Sequence, residues 1–350
     1  MKFYPDLMTD LSGRKITDAS MWSDRKKEIV DILSREEYGY MPPVYGETKG
    51  EIIKVDEGEC AGHAVHQDIT ISFPTEKGEF SFPLRLVYPV SDRKVPVIVY
   101  MSFSNLLADH YIPLEEIIDR GFAIAEIYYK DITSDDENMT DGLTGMFTRP
   151  DDGTGFGKIS IWAYAMSRAL DYLLTREEFD SEKTACQGHS RLGKTALWCG
   201  ANDDRFRYVI SNDSGCGGAA YERTKHEGAE TIGFMNGRFP YWFCENRQKY
   251  AGAEDTMPFD QHFLIAASAP NNVIVASASL DQWADPYSEQ LSCLGASPAF
   301  ELFGKGFSGT EEKANVGDNF DEGKVAYHLR DGKHFMSRYD WNLNMDYISK

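Results

Sequence analysis

No stretch of this 350-residue chain approaches the roughly 18 consecutive apolar residues that a membrane span needs. The first residues, Met1-Lys2-Phe3-Tyr4-Pro5-Asp6, lack a basic segment followed by an apolar one. No membrane partner is therefore expected, and the chain as it stands reads as cytoplasmic, or as secreted if a leader has been removed. Cysteines number only six (Cys60, Cys186, Cys199, Cys216, Cys244 and Cys293), with no C-x-x-C pair. Zinc and dithiol redox chemistry lose their usual signature, and buried free thiols are expected instead. Positive charge is scarce as well, 36 Lys and Arg against 56 Asp and Glu, for a formal net charge of −20. Such a field repels nucleic acid and anionic lipid, and an acidic substrate would need a local cationic pocket to overcome it. No G-x-G-x-x-G fingerprint occurs, and no cofactor is expected. Nor does a Pro/Ser-rich spacer, an internal repeat or a low-complexity tract divide the chain. A single domain over 1–350 follows, with residues 1–50 as a helical and extended segment packed on it.

What is present is the run Gln187-Gly188-His189-Ser190-Arg191-Leu192-Gly193-Lys194, after a short apolar stretch and at the head of a helical one. A serine hydroxyl is a poor nucleophile at neutral pH. An enzyme that uses one holds it on a tight strand-to-helix turn, where a base reaches it and backbone amides face the developing oxyanion. Small residues flank such a serine because the turn is crowded. Gly188 and Gly193 do so here, while Leu192 stands where the G-x-S-x-G pattern has its second glycine. The alternative is a plain Gly/Ser loop before a helix.

The surrounding periodicity predicts a helix over 24–37, from Ile29, Val30, Ile32 and Leu33, ending near Gly39 and Pro42-Pro43. Stretches near 51–55, 64–73 and 80–89 read as antiparallel strands at one edge of a sheet. The runs 95–103 and 121–129 are almost continuously apolar, as suits parallel strands covered on both faces, with a helix over 113–120 between them. A helix over 159–174, a strand over 183–188, a helix over 191–201 and strands over 208–212 and 272–278 follow. This alternation predicts an α/β class: a doubly wound, mostly parallel sheet in a three-layer αβα sandwich with antiparallel N-terminal strands. In that architecture the site lies at the carboxyl ends of the strands. Three such ends are rich in polar residues: His189-Ser190-Arg191, Asn212-Asp213-Ser214-Gly215 and Asp281-Gln282-Trp283-Ala284-Asp285-Pro286.

In α/β-hydrolases the chain order is serine, acid, histidine. His334, in a turn after the strand-like 327–330, stands where the base is required. His63, His66 and His110 precede the elbow, and His189 adjoins the nucleophile and is expected to point elsewhere. His226 lies in a charged, solvated stretch, His262 heads an apolar helix, and His328 alternates into a strand. A buried carboxylate on the far nitrogen of the base fixes its tautomer and stabilises the imidazolium. Asp213, Asp281 and Asp285 all remain candidates, although Asp285 before Pro286 also fits a helix N-cap.

Together, Gly188-His189-Ser190-Arg191-Leu192-Gly193-Lys194, Asn212-Asp213-Ser214-Gly215-Cys216-Gly217-Gly218, Phe239-Pro240-Tyr241-Trp242-Phe243, Pro258-Phe259-Asp260-Gln261-His262 and Tyr327-His328-Leu329-Arg330 resemble the glucuronoyl esterases of carbohydrate esterase family 15, above all their bacterial branch. The likeness spans about residues 90–345. It implies an α/β-hydrolase fold and a metal-free serine esterase that cleaves the ester between a 4-O-methyl-glucuronate of xylan and a lignin alcohol. Ser190 matches the family nucleophile, His334 its base and Arg191 an arginine that helps hold the oxyanion. Asp213 falls where the family has a glutamate, and some bacterial members place the acid after the later strand, where Asp281 and Asp285 lie. For the sugar, Lys194, Trp283 and Glu230 match binding residues. The family's sugar-contacting glutamine has no clear counterpart, with Arg238 or Asn236 near its place. Fungal members carry a disulfide-bonded cysteine where this chain has His189. Taken without the resemblance, a solvated Lys194, a core Trp283 and a purely structural ion pair at Arg191 are the alternatives to site roles. The partner expected is a carbohydrate, and the chain is expected to be a monomer. An acetyl-xylan or sugar deacetylase on the same triad is the alternative, and a carbohydrate-binding pseudoenzyme a further one.

Overall fold

The computed structural model describes residues 2–104 and 112–350. Ten strands form one sheet in the order β1-β2-β3-β5-β4-β6-β7-β8-β10-β9 among these residues. The first three, β1 (Lys49–Gly58), β2 (Ala64–Thr75) and β3 (Gly78–Pro89), pair antiparallel at one edge, as their alternating pattern predicts. From β5 (Ala123–Tyr128) through β4 (Val95–Ser102), β6 (Phe179–His189), β7 (Tyr208–Asn212) and β8 (Asn272–Ala278) to β10 (Val325–Arg330) all neighbours are parallel. These central strands are buried on both faces, which is why they read as unbroken apolar runs. A two-residue strand, β9 (Asn319–Phe320), closes the far edge antiparallel to β10.

Helices cover both faces. Helix α1 (Ala19–Leu33) starts earlier than its apolar spacing suggests, because Asp18 caps it by accepting the Ser20 N–H. It continues through a π turn, 34–38, to Gly39, whose φ of 80° ends it. Helices α2 (Leu114–Asp119) and α3 (Lys158–Leu173) lie where the sequence places them. Helix α4 (Arg191–Asn202) follows the elbow, α5 (Ile232–Arg238) and α6 (Gln261–Ala266) lie in the long excursion between β7 and β8, and α7 (Pro286–Glu301) follows β8. The last helix, α8 (Arg338–Ser349), has no apolar periodicity that reveals it. Its signal is a capping box, Ser337 with Asp340, in which each side chain accepts the other's backbone N–H.

The N-terminal segment bears on the site from below. Tyr38 stacks on Trp198 of α4 with ring centroids 4.5 Å apart, and its hydroxyl donates to the Gly217 carbonyl at 3.0 Å. The six cysteines are all unpaired, five of them buried, as the sequence predicts. No helix among the described residues is long and apolar enough to cross a membrane.

Candidate active site

Ser190 is the single residue between β6 and α4, with φ 57° and ψ −128°. A side chain rarely tolerates that conformation, which persists only where its surroundings impose it. Here the Ser190 N–H donates to the Asn212 carbonyl at 2.9 Å. A Cβ on Gly188 would lie 2.1 Å from the Leu192 carbonyl oxygen, so only glycine fits. A Cβ on Gly193 would lie 3.1 Å from the Asn212 carbonyl oxygen and from Ser214 Cβ, because the first turn of α4 crosses the end of β7 there. Leu192 itself is fully buried. The second crowded position is thus one residue later than in G-x-S-x-G, and the departure from the pattern follows from how α4 packs. The Ser190 side chain makes no capping bond to α4.

The letters of 188–195 also fit the phosphate-binding G-x-x-x-x-G-K-[ST] pattern. The geometry does not support a phosphate cradle. The N–H groups of Ser190, Gly193 and Lys194 are already bonded to backbone carbonyls, and Lys194 Nζ donates to the Ser214 carbonyl rather than reaching over the loop.

His334 sits on the loop between β10 and α8, and its Nδ1 lies 2.5 Å from Asp281 Oδ2. Asp281 follows β8, and because β8 and β10 are parallel neighbours their following loops share one end of the sheet. The two loops are laced together. The Leu280 N–H donates to the Gly332 carbonyl at 2.8 Å and the Ser279 N–H to the Arg330 carbonyl at 2.9 Å. Arg330 in turn donates to the carbonyls of Asp331 and Lys333, both at 3.0 Å. With Nδ1 on a carboxylate, Nε2 is the ring nitrogen available to exchange a proton with a substrate.

Of the three aspartates left open by the sequence, Asp281 alone bonds this histidine among the described residues. Asp213, at φ 45°, accepts the Ala278 N–H at 2.8 Å and lies 3.4 Å from Arg330 Nη2. Burial, then the charges of Glu289 and Asp281, push its carboxyl well above the usual range. Asp285 caps α7 through the Ser288 N–H and lies 2.7 Å from His226 Nδ1. Asp213, Asp281 and His334 each offer a ligand atom within 4.8 Å of the others. The Arg330 guanidinium beside Asp213 is an unfavourable neighbour for a second cation there.

His189 does not point away from the site. Its ring centroid is 4.4 Å from that of His334, and its Nδ1 lies 2.5 Å from Asn212 Oδ1. Burial, then His334, press its pKa down to about 3, so it meets the base as a neutral ring. His226 is tied to Asp285 rather than merely solvated. His328 is buried against Asp340, and His262 against the Pro5 carbonyl. Met1 and His110 lie outside the described residues.

Ser190 and His334 open on one cavity of about 440 Å³ whose walls also include Arg191, Lys194, Glu230, Phe234, Arg238, Phe239, Trp242, Asp281 and Trp283. Lys194 is no solvated lysine: it is 2 % exposed, with Nζ 3.5 Å from Glu230 Oε2. Trp283 is no core residue: it is 45 % exposed and donates its indole N–H to Glu230. Arg238 lines the cavity, whereas Asn236 is buried and accepts from Arg247 at 2.8 Å. Arg191 pairs with Asp135, lies over the Trp242 ring at 4.6 Å, and has a buried Nε with no partner among the described residues. Three cationic side chains thus face one cavity of a strongly acidic chain.

Several contributors carried no sequence signal. Asp135 lies in an irregular stretch and reaches the site only through Arg191 and the Trp242 indole N–H, at 2.8 Å from the latter. Glu289, fully buried, accepts the N–H groups of Ser214 and Gly215, both at 2.9 Å, and so holds the loop that carries Asp213. Burial pushes its pKa up to about 7.

The model of the family described as "Glucuronyl esterase, fungi" matches residues 69–304. A carbohydrate esterase of an unknown prokaryotic organism is 34 % identical, the match covering 98 % of this chain and 88 % of that one. A 4-O-methyl-glucuronoyl methylesterase of Hypocrea jecorina is 26 % identical over 85 % of this chain, which spans 60 % of that protein's length. The solved glucuronoyl esterase from Solibacter usitatus superposes with a TM-score of 0.91 at 33 % identity, covering 100 % of this chain and 98 % of that one. The chain belongs to the glucuronyl esterase family, whose members are carboxylic ester hydrolases, and it has their α/β-hydrolase fold.

Proposed function

From this membership, we propose that the chain is a serine esterase acting on esters of the glucuronate carboxyl group, with Ser190 as nucleophile, His334 as base and Asp281 as the acid behind it. His334 Nε2 takes the Ser190 proton as the hydroxyl attacks the ester carbonyl. Asp281 holds Nδ1 and stabilises the imidazolium. The oxyanion is met by the Arg191 N–H, the first of α4 and without a helical acceptor, and by the Arg191 guanidinium. The imidazolium then protonates the departing alcohol, and a water activated by the same nitrogen releases the uronic acid from Ser190.

One observation carries the reading. The hydrolytic residues share a cavity with a wall of Lys194, Glu230 and Trp283, a planar apolar face beside charged hydrogen-bonding groups, with Arg238 at its edge. That combination suits a pyranose bearing hydroxyls. The test is kcat/KM for benzyl glucuronate against an aryl acetate. A clear preference for the uronate ester is expected. Preference for the acetate would move the function to deacetylation on the same triad.

The oxyanion role of Arg191 has its own test. Arg191→Ala should lower kcat by about 10²- to 10³-fold, the cost of removing one preorganised donor, with a small change in melting temperature. A large loss of stability with near-normal kcat would reduce Arg191 to a structural partner of Asp135.

A further inference from the structure

Arg191 is held beside the nucleophile by groups from three other segments. Its guanidinium pairs with Asp135 and lies among three rings, those of Phe103, Phe239 and Trp242, at 5.4, 5.6 and 4.6 Å from their centroids. Ring faces attract the charge without fixing where its N–H groups aim. Asp135 supplies the direction. One of its carboxylate oxygens takes Arg191 Nη1 and the other accepts the Trp242 indole N–H at 2.8 Å, so a single side chain ties the guanidinium to the ring it lies over. The segment that carries Asp135 is braced in turn. The Asp135 carbonyl accepts the Tyr241 hydroxyl at 3.1 Å, the Ser134 N–H donates to Asp141 at 3.0 Å, and the Ser134 carbonyl accepts from Lys158, at the buried start of α3, at 2.7 Å. The Asp135 side chain is 7 % exposed, and a carboxylate that deep is tolerated where its partners replace water. No step of the hydrolysis described above uses it.

We propose that Asp135 is a positioning residue for the reaction: it aims the Arg191 guanidinium at the developing oxyanion without touching substrate. The inference rests on the esterase reading and on the oxyanion role of Arg191. An oxyanion donor contributes most when its direction is fixed before the reaction begins. The Arg191 side chain is a quarter exposed on a long stem, and without Asp135 it would have to be ordered at each turnover. With Nη1 on Asp135, the buried Nε has no partner among the described residues and remains a donor for the oxyanion. The ester carbonyl of the bound substrate needs that donor less than the tetrahedral intermediate does. The aim of Arg191 therefore bears on kcat more than on KM.

The experiment is a double-mutant cycle on benzyl glucuronate: wild type, Asp135→Asn, Arg191→Ala and the double variant, with kcat, KM and melting temperature measured for each. The asparagine oxygen can still accept the Trp242 N–H, which turns its amide donor toward the Arg191 donors. The guanidinium then keeps its charge and its rings and loses its aim. Asp135→Asn should lower kcat by about 10- to 100-fold with KM within about threefold of wild type. Once Arg191 is alanine, the same substitution should lower kcat by no more than about twofold. An equal loss in both backgrounds would overturn the proposal, because Asp135 would then act without Arg191. So would a near-normal kcat in Asp135→Asn, or a loss confined to KM. Asp135→Ser is measured beside it and should follow the same pattern; failure of both variants to fold would make Asp135 a residue of the fold and overturn its role in the reaction. A near-normal kcat in Arg191→Ala would overturn the proposal and leave the esterase reading standing, whereas absence of turnover in wild type would overturn both.

Discussion

Asp281→Asn should lower kcat on a glucuronate ester by about 10³- to 10⁴-fold, whereas Asp213→Asn should cost about tenfold or less. The difference follows from where each carboxylate is spent. Asp281 meets His334 Nδ1 at 2.5 Å, so an amide there can present a donor to the nitrogen that must itself donate, and the tautomer is lost. Asp213 serves the backbone of Ala278 and stands near Arg330, and an asparagine oxygen can still accept that N–H. Its carboxyl is also pushed toward the neutral form by burial, so a neutral isostere resembles what is already there. Measured kcat for the two variants decides the point. The reverse order would make Asp213 the acid and reduce Asp281 to an anchor of the His334 loop.

Ser190→Ala should remove more, about 10⁴- to 10⁶-fold in kcat on every ester the protein cleaves, leaving the residual rate that binding and oxyanion donors sustain without a nucleophile. Stability should hardly move, because the hydroxyl caps no helix and the strained backbone at φ 57° is held by the Asn212 carbonyl through the Ser190 N–H. Paired activity and melting curves check this. A variant that keeps a tenth of the activity would place the nucleophile elsewhere, and one that fails to fold would give the residue a structural role.

The two predictions differ in how far the sequence supports them. The elbow, the parallel strands and the late histidine are local or ordered signals: a crowded turn needs Gly188, buried strands need unbroken apolar runs, and chain order puts the base after the acid. The acid has no such signal. Asp213, Asp281 and Asp285 all follow strands at the same end of the sheet, and what separates them is the lacing of two loops distant in sequence, 279–281 with 330–334. His189 was misplaced for a similar reason. Its neighbour in space is His334, 145 positions later, and only the pairing of β6, β7, β8 and β10 brings the two rings together. Lys194 and Trp283 reach the cavity wall against the usual habits of their residue types, because Glu230 takes a contact from each. Helix α8 escaped because its cap, not its periodicity, defines it.

The most direct measurement is to quench the enzyme rapidly in acid during turnover of benzyl glucuronate and examine its peptides by mass spectrometry. A glucuronoyl group on the peptide that contains Ser190, present in wild type and missing in Ser190→Ala, is the result predicted for attack by this serine on a uronate ester. Turnover of the same ester with no adduct on that peptide, or with one on another residue, would contradict it.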